Sequence, residues 1–220
     1  MATDEGKGKA PLGDRRPLAS RERPWAGRLL RFLLRTGISA NQISALGIVV
    51  SLAGAAAFVF AARLPQPALW IVGALCIQLR LLANLMDGLV AVEGGRGSTS
   101  GALWNEAPDR LEDSLFLVAF GYALGVGWLG WLAALCAAVA AYVRLLGGTV
   151  GLKQDFRGPM AKQHRMAALT LAAGIAFAEA FLAASHPVST ALLGLIALGT
   201  VVTIGHRLKS QAKALAGQAR

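Results

Sequence analysis

Residues 43–62 read ISALGIVVSLAGAAAFVFAA, twenty residues without a charged side chain. A membrane-spanning helix needs about 20 mainly apolar residues, so this run is long enough to cross a bilayer. Further apolar runs follow at residues 68–86, 114–148, 166–184 and 190–205. The run at 114–148 is too long for one span, and the glycines and tryptophan of residues 125–130 indicate a turn within it. The sequence therefore predicts an all-α membrane protein with six transmembrane helices.

The composition also indicates a membrane protein. Hydrophobic residues make up 55% of the 220 residues and charged residues only 15%, whereas soluble domains carry about 45–50% and about 25%. The net charge is +10, which in a soluble protein would suggest nucleic acid. Here the apolar runs favour contact with anionic lipid instead, so we expect membrane lipids as partners and no nucleic acid.

The distribution of basic residues predicts the orientation. If the N-terminus lies in the cytoplasm, the three outer turns contain only Arg63 among all lysines and arginines, as the positive-inside rule requires. We therefore expect a multi-pass protein of the cytoplasmic membrane, with both termini and the polar loops on the cytoplasmic side. The predicted layout is a disordered tail, an amphipathic helix in the membrane interface, a six-helix domain and a basic tail, at residues 1–24, 25–38, 39–206 and 207–220.

The amphipathic helix is predicted from a stripe of arginines. Arg28, Arg31 and Arg35 recur at helical spacing, and leucines and Phe32 cover much of the remaining surface. Such a helix suits the membrane interface, with its arginines at headgroup level. The alternative is an amphipathic helix that packs on its own protein.

A polar segment between the second and third spans carries the candidate chemistry. Its first helical face has spacings of four, three and four residues and consists of Arg80, Asn84, Asp87 and Ala91. Its second face has a spacing of four and consists of Gly101, Asn105, Asp109 and Asp113. The two helices are antiparallel neighbours, so these faces can meet. Carboxylates at membrane depth are costly unless paired or bound to metal, and their oxygens suit Mg²⁺.

This segment resembles the signature of the CDP-alcohol phosphotransferases, also called CDP-alcohol phosphatidyltransferases. That signature is Asp-x2-Asp-Gly-x2-Ala-Arg-x8-Gly-x3-Asp-x3-Asp. The spacing matches throughout, at Asn84, Asp87, Gly88, Ala91, Val92, Gly101, Asn105 and Asp109. Residues 37–44 are similar to the Pro-Asn-x-Ile-Thr segment that precedes the family's first span, with Ala40 in place of proline. The family also has an interfacial helix followed by six spans.

The resemblance implies a membrane enzyme of phospholipid synthesis. It would transfer a phosphatidyl or similar group from a CDP-linked lipid to an alcohol acceptor and release CMP, with Mg²⁺ or Mn²⁺ as cofactor. Carried over by position, Asp87 and Asp109 are metal ligands, Asn84 and Asn105 offer carbonyl oxygens, and Asp109 is also the general base. Asp113 is the expected extra ligand or second base.

Three signature positions differ from the family. Asn84 and Asn105 replace two of the four aspartates, and Val92 replaces the arginine. A two-metal site needs those charges to hold two dications near a pyrophosphate, so the number of metal ions stays open. The alternative function is an inactive relative that binds lipid or nucleotide, or acts as a scaffold. A small transporter is a weaker alternative, suggested by Arg80 and Glu179 inside the spans.

Several residues near the segment are candidates for substrate binding, since phosphates are bound by cations and glycines allow a close approach to the backbone. The candidate set is Gly88, Ala91, Arg96, Gly101, Arg144, Arg157, Lys162 and Arg165. For the cations, an ordinary cytoplasmic charge is the alternative. We expect Glu106 and Glu112 to be solvated interfacial charges rather than ligands. A homodimer is a family expectation, weakly supported by the Gly121-x3-Gly125 spacing.

Overall fold

A computed structural model describes residues 23–96, 98–182 and 185–218, and its regular structure in these ranges is entirely helical. Within these ranges the chain forms seven helices: α1 (Pro24–Thr36), α2 (Ala40–Ala61), α3 (Ala68–Val92), α4 (Gly101–Ala123), α5 (Gly127–Thr149), α6 (Lys162–Leu182) and α7 (Pro187–Gln218). The predicted tail at residues 1–24 lies almost wholly outside the described residues. The basic segment after residue 206 continues α7 as far as Gln218.

In the part of the chain that the structure describes, five helices are long and apolar enough to cross a membrane, namely α2, α3, α5, α6 and α7. Helix α4 has a similar length, but its first half contains five charged residues between positions 106 and 113. The prediction of an all-α membrane protein is thus confirmed, while the sixth span stays a prediction.

The helix boundaries follow from local sequence. Helix α1 begins with Pro24, whose missing N–H is not needed in the first turn, and it ends at Gly37 with a φ of 80°. Ser39 begins α2 with a reciprocal capping box, in which its side chain accepts from the Gln42 N–H and the Gln42 side chain accepts from the Ser39 N–H. The predicted turn between α4 and α5 is confirmed at Gly125, which has a φ of 75°.

Two apolar clusters hold the bundle together. The larger one contains the packed rings of Phe58, Trp70, Phe116 and Phe120. The smaller one places Ala26 and Leu30 of α1 against α3. Trp70 lies near the start of α3, about 25 Å along the helix axis from the polar residues at its other end. The aromatic core and the polar site therefore occupy opposite ends of the bundle.

Helices α4 and α5 make a close backbone contact within the chain. A Cβ added at Gly121 would lie 2.6 Å from the Cα atom of Gly130. Because backbone atoms of both helices line this contact, no side chain can move aside to relieve an added methyl group. Gly121 therefore serves a helix pair within one chain, one of the two uses that the sequence left open.

We expect Gly121→Ala to destabilise the bundle by about 1–3 kcal/mol, because overpacking forces the backbones of α4 and α5 apart. Gly174→Ala is the matched control: a Cβ at Gly174 meets nothing within 4 Å, and alanine favours a helix by up to about 1 kcal/mol. Apparent melting temperatures in detergent check this. Equal melting temperatures for the two variants would contradict the packing argument.

Candidate active site

A cavity of about 850 Å³ opens between α3, α4, α5 and α6 at the polar end of the bundle. Its volume lies within the range of small-molecule sites. Most of the sequence-predicted site residues line it, namely Asn84, Asp87, Gly88, Ala91, Gly101, Asn105, Asp109, Arg144, Lys162 and Arg165. The expectation that the polar faces of α3 and α4 meet is therefore met.

Asp109 is the most heavily engaged residue of this cavity. Its Oδ1 atom accepts hydrogen bonds from Arg80 Nη2 at 2.9 Å and from Asn84 Nδ2 at 2.5 Å. Its Oδ2 atom contacts the Lys162 ammonium and lies 3.2 Å from Arg110 Nη2. Both carboxylate oxygens are thus held by cationic or amide donors.

Arg80 organises a buried ion-pair cluster below Asp109. Its side chain is fully buried, and its Nε donates to Glu112 Oε2 at 2.6 Å. Its Nη2 lies 2.9 Å from Asp113 Oδ1, while Arg165 donates to Asp113 Oδ2 at 2.7 Å. The expectation that Glu112 is solvated is wrong: it is 1% exposed. Burial is tolerated here because each charge has a partner of opposite sign.

Asp87 lies on the α3 side of the cavity in a different environment. Its Oδ2 atom accepts a hydrogen bond of 2.8 Å from Ser44 Oγ. Its Oδ1 atom is buried and has no hydrogen-bond partner in the described part of the chain. A buried carboxylate oxygen without a donor is a site for a cation, because leaving it unpaired is costly.

The donor set near Asp87 fits an ion only if amide oxygens take part. Within residues 23–96, 98–182 and 185–218, no three side chains of His, Cys, Asp or Glu come together as metal ligands. Asn84 and Asn105 line the same cavity. Asn84 uses its amide nitrogen on Asp109, so its amide oxygen is the atom that can serve as a ligand. Carboxylate and amide oxygens suit Mg²⁺ or Mn²⁺.

Arg144 forms a second polar wall with Glu106. Its Nη2 donates to Glu106 Oε2 and its Nη1 to Gln154 Oε1, both at 2.5 Å. Its guanidinium also lies 5.2 Å from the centre of the Phe156 ring, a cation–π distance. The expectation that Glu106 is merely solvated is therefore wrong. These contacts hold the Arg144 guanidinium in place at the edge of the cavity.

Three predicted site residues do not line the cavity. Asp113 is 2% exposed beneath it and is held by Arg80 and Arg165. Arg96 donates to the carbonyl oxygens of Leu34 and Ile38 and so caps the end of α1. Arg157 lines a separate depression of about 560 Å³.

Arg157 is paired within its own loop. It donates to both carboxylate oxygens of Asp155 at 2.9 Å and to Ser210 Oγ at 2.9 Å. The hydrogen bonds from Arg157 lower the pKa of Asp155. The loop that carries Arg157 is thereby tied to α7, and its guanidinium lies outside the cavity.

Sequence reasoning missed Ser44 and Arg207. Ser44 ends the segment at 37–44 that precedes the first span, so its position was a signal, but its bond to Asp87 was not foreseen. Arg207 was assigned to the basic tail; instead it is 4% exposed and lines the cavity. It donates to the carbonyl oxygens of Ala140 and Arg157. No periodic pattern in the sequence distinguishes it from the exposed basic residues around it.

Similar proteins of known sequence are phosphatidylinositol phosphate synthases. The enzyme of Mycobacterium marinum is 28% identical over 207 residues, which cover 91% of this chain and 83% of that protein. The enzyme of Streptomyces avermitilis is 28% identical over 187 residues, which cover 80% of this chain and 73% of that protein. No family model matches this chain.

Solved structures of the Mycobacterium tuberculosis phosphatidylinositol phosphate synthase share the fold. The complex with CDP-DAG has a TM-score of 0.67 at 23% identity and covers 84% of this chain and 92% of that one. The complex with manganese and citrate has a TM-score of 0.68 at 22% identity and covers 84% and 87%.

The fold and the cavity define a helical membrane protein whose polar site lies at one end of the bundle. The similarity to phosphatidylinositol phosphate synthases agrees with the resemblance of the signature segment to the CDP-alcohol phosphatidyltransferases, with Asn84 and Asn105 at two of the four signature aspartates.

Proposed function

We propose that this protein transfers the phosphatidyl group of CDP-diacylglycerol to an alcohol acceptor in phospholipid synthesis and releases CMP. The observation that carries the proposal is a single cavity lined by Asp87, Asp109 and Lys162, which combines a carboxylate with a free oxygen, a candidate base and a cation. The relatives support the donor, because the similar Mycobacterium tuberculosis enzyme binds CDP-DAG.

The walls of the cavity suit an amphipathic, anionic donor. Lys162 supplies a cationic group for the pyrophosphate. Leu81 and Leu85 line the α3 side of the cavity and offer apolar surface to the lipid part. The donor would enter from the bilayer with its headgroup beside Lys162.

The transfer is a displacement at the phosphorus that carries the diacylglycerol oxygen. The acceptor hydroxyl oxygen forms a bond to this phosphorus, the bond from the phosphorus to the CMP oxygen breaks, and CMP leaves. The hydroxyl proton passes to Asp109, which acts as general base. For this step Asp109 must turn one oxygen from Lys162 or Arg110 towards the acceptor. Lys162 then remains beside the phosphates and stabilises their negative charge.

The site also fits a divalent cation, Mg²⁺ or Mn²⁺. Asp87 would hold it through its unpaired Oδ1 atom, together with the amide oxygens of Asn84 and Asn105. When bound, the ion supplies positive charge that favours departure of CMP. The manganese complex of the Mycobacterium tuberculosis enzyme supports a metal in this fold.

An anionic acceptor suits the cationic wall better than a neutral one. Arg144 and Arg165 are fixed by carboxylates and by the α5 and α6 helices, and Arg207 adds a third guanidinium at the same cavity. Inositol phosphate is the acceptor that we propose first, because the 28% identical relatives are phosphatidylinositol phosphate synthases.

We propose that α4 also crosses the membrane, which brings the number of spans to six, and that α1 lies in the interface on the cytoplasmic side. At the α4–α5 turn, Tyr122, Trp128 and Trp131 are exposed, as expected of an aromatic belt at the outer interface. The cavity opens at the opposite end, beside the basic loop that precedes α6. Both termini then lie in the cytoplasm, and dimerisation stays a prediction.

CMP release by the purified protein in lipid nanodiscs tests this function. CDP-diacylglycerol would be supplied with Mg²⁺ or Mn²⁺ and with inositol phosphate, glycerol 3-phosphate or serine in turn. We expect metal-dependent release with inositol phosphate, and loss of that release in Asp87→Asn, which keeps the side chain's shape but removes its charge.

A non-catalytic relative is the second candidate function. It is favoured by the occupation of both Asp109 oxygens and by the two asparagines in the signature. Binding of CDP-diacylglycerol without CMP release, with every acceptor and either metal, would favour this candidate over the transferase.

A further inference from the structure

We propose that the side chains of Arg80 and Lys162 neutralise Asp109 in place of a metal ion. The metal centre formed by the polar residues of the cavity would therefore bind one divalent ion, at Asp87, instead of two. The inference rests on the proposed function for what the centre does. It concerns how many ions the residues hold, so it can be tested without turnover.

The contacts of Asp109 are the first argument. Arg80 and Asn84 occupy its Oδ1 atom, and the Lys162 ammonium and Arg110 occupy its Oδ2 atom. A divalent ion on Asp109 would have to displace donors that are themselves buried: the side chains of Arg80 and Lys162 are 0% and 12% exposed. The displaced cations would then lie beside the ion and repel it.

The charge distribution is the second argument. Around Asp109 the carboxylates of Glu112 and Asp113 are matched by Arg80 and Arg165, and Asp109 itself by Lys162. This half of the centre is therefore neutral without metal. Among the described residues, Asp87 alone combines a carboxylate that lines the cavity with a buried oxygen that has no hydrogen-bond partner; Glu112 and Asp113 also have one such oxygen each but do not line the cavity. The Asp87 side of the cavity therefore has an unpaired carboxylate oxygen that can bind a divalent ion, whereas on the Asp109 side Lys162 already supplies the positive charge.

The position of Lys162 on α6 is the third argument. It is the first residue of that helix, where the helix dipole disfavours a cation. The preceding turn is held on α7, because the Met160 N–H donates to Thr203 Oγ1 at 2.9 Å. The chain thus carries a lysine at an unfavourable helix end and holds it against Asp109. Pairing with that carboxylate offsets the unfavourable position.

Counting bound Mn²⁺ by electron paramagnetic resonance in nanodisc-embedded protein tests the inference. We expect one ion per chain in the wild type. In Lys162→Met we expect binding at least about tenfold tighter, because a positive charge near the ion is removed. In the variant that combines Asn84→Asp, Asn105→Asp and Lys162→Met, we expect two ions. Two ions or none in the wild type would overturn the proposal, and so would unchanged affinity in Lys162→Met.

Two further variants keep the test decisive. Lys153→Met removes an exposed lysine of the loop that precedes α6 and should leave Mn²⁺ affinity unchanged within twofold. Asn84→Asp with Asn105→Asp keeps Lys162 and does not depend on how Lys162→Met folds; it should still bind one ion, and two would overturn the proposal. If the wild-type protein bound one Mn²⁺ ion but released no CMP, the result would count against the proposed function and not against this inference.

Discussion

Asp109→Asn is expected to lower the rate of CMP release by about 10²–10⁴-fold, the usual contribution of a general base. The amide has the size and shape of the carboxylate but cannot take the proton of the acceptor hydroxyl. The cavity and its cations remain, so CDP-diacylglycerol binding should be largely retained. The effect should therefore fall on the maximal rate rather than on the donor concentration that gives half of it.

The measurement is CMP release under saturating donor and acceptor, with donor binding followed separately. Glu93→Gln is the matched control, because it makes the same carboxylate-to-amide change at an exposed residue just after α3 that does not line the cavity. It should retain the wild-type rate. Asp109→Asn with wild-type turnover would show that another group accepts the proton.

The helical period was sufficient to predict which residues of α3 and α4 share the cavity. Asn84 and Asp109 are 25 positions apart, and their side chains bond across the two helices at 2.5 Å. The prediction succeeded because the two helices are joined by a short loop. Polar faces at membrane depth also pack against each other, because exposing them to lipid is costly. Asp87, Gly88, Gly101 and Asn105 followed for the same reason.

Charge partners on distant helices could not be predicted in this way. Glu112 was expected to be a solvated interfacial charge, but Arg80 holds it in the interior. Arg144 pairs with Glu106, which lies 38 positions away. A helical pattern states which face a residue occupies, whereas its partner depends on the packing angle and rotamers of another helix.

Glu179 illustrates the same limit. The sequence left it without an assignment, and a charge inside a span suggested transport. Its carboxylate accepts from the Val188 N–H at 2.8 Å and from the Ser189 hydroxyl at 2.6 Å, and so caps the first turn of α7. Unpaired N–H groups at a helix start account for a buried carboxylate there. With Arg80 also paired, the observations behind the transporter alternative have structural explanations.

Arg80→Met is expected to destabilise the folded bundle by about 3–5 kcal/mol, which is the usual effect of removing one partner of a buried ion pair. Methionine fills much of the volume, so the loss comes mainly from charge. Glu112 would lose its hydrogen-bonded partner, and Asp109 and Asp113 would each lose a cation. The apparent melting temperature in detergent measures the effect.

The charge explanation can be separated from lost packing by a combined variant. Adding Glu112→Gln to Arg80→Met removes the carboxylate that is left alone, so part of the stability should return. Arg63→Met, which changes an exposed arginine of the α2–α3 turn, should leave the melting temperature nearly unchanged. If the combined variant were no more stable than Arg80→Met alone, the loss would come from the packing of the arginine stem between α3 and α4. The buried charges would then be tolerated by the fold without stabilising it, and the cluster's place beneath Asp109 would have to be explained by function.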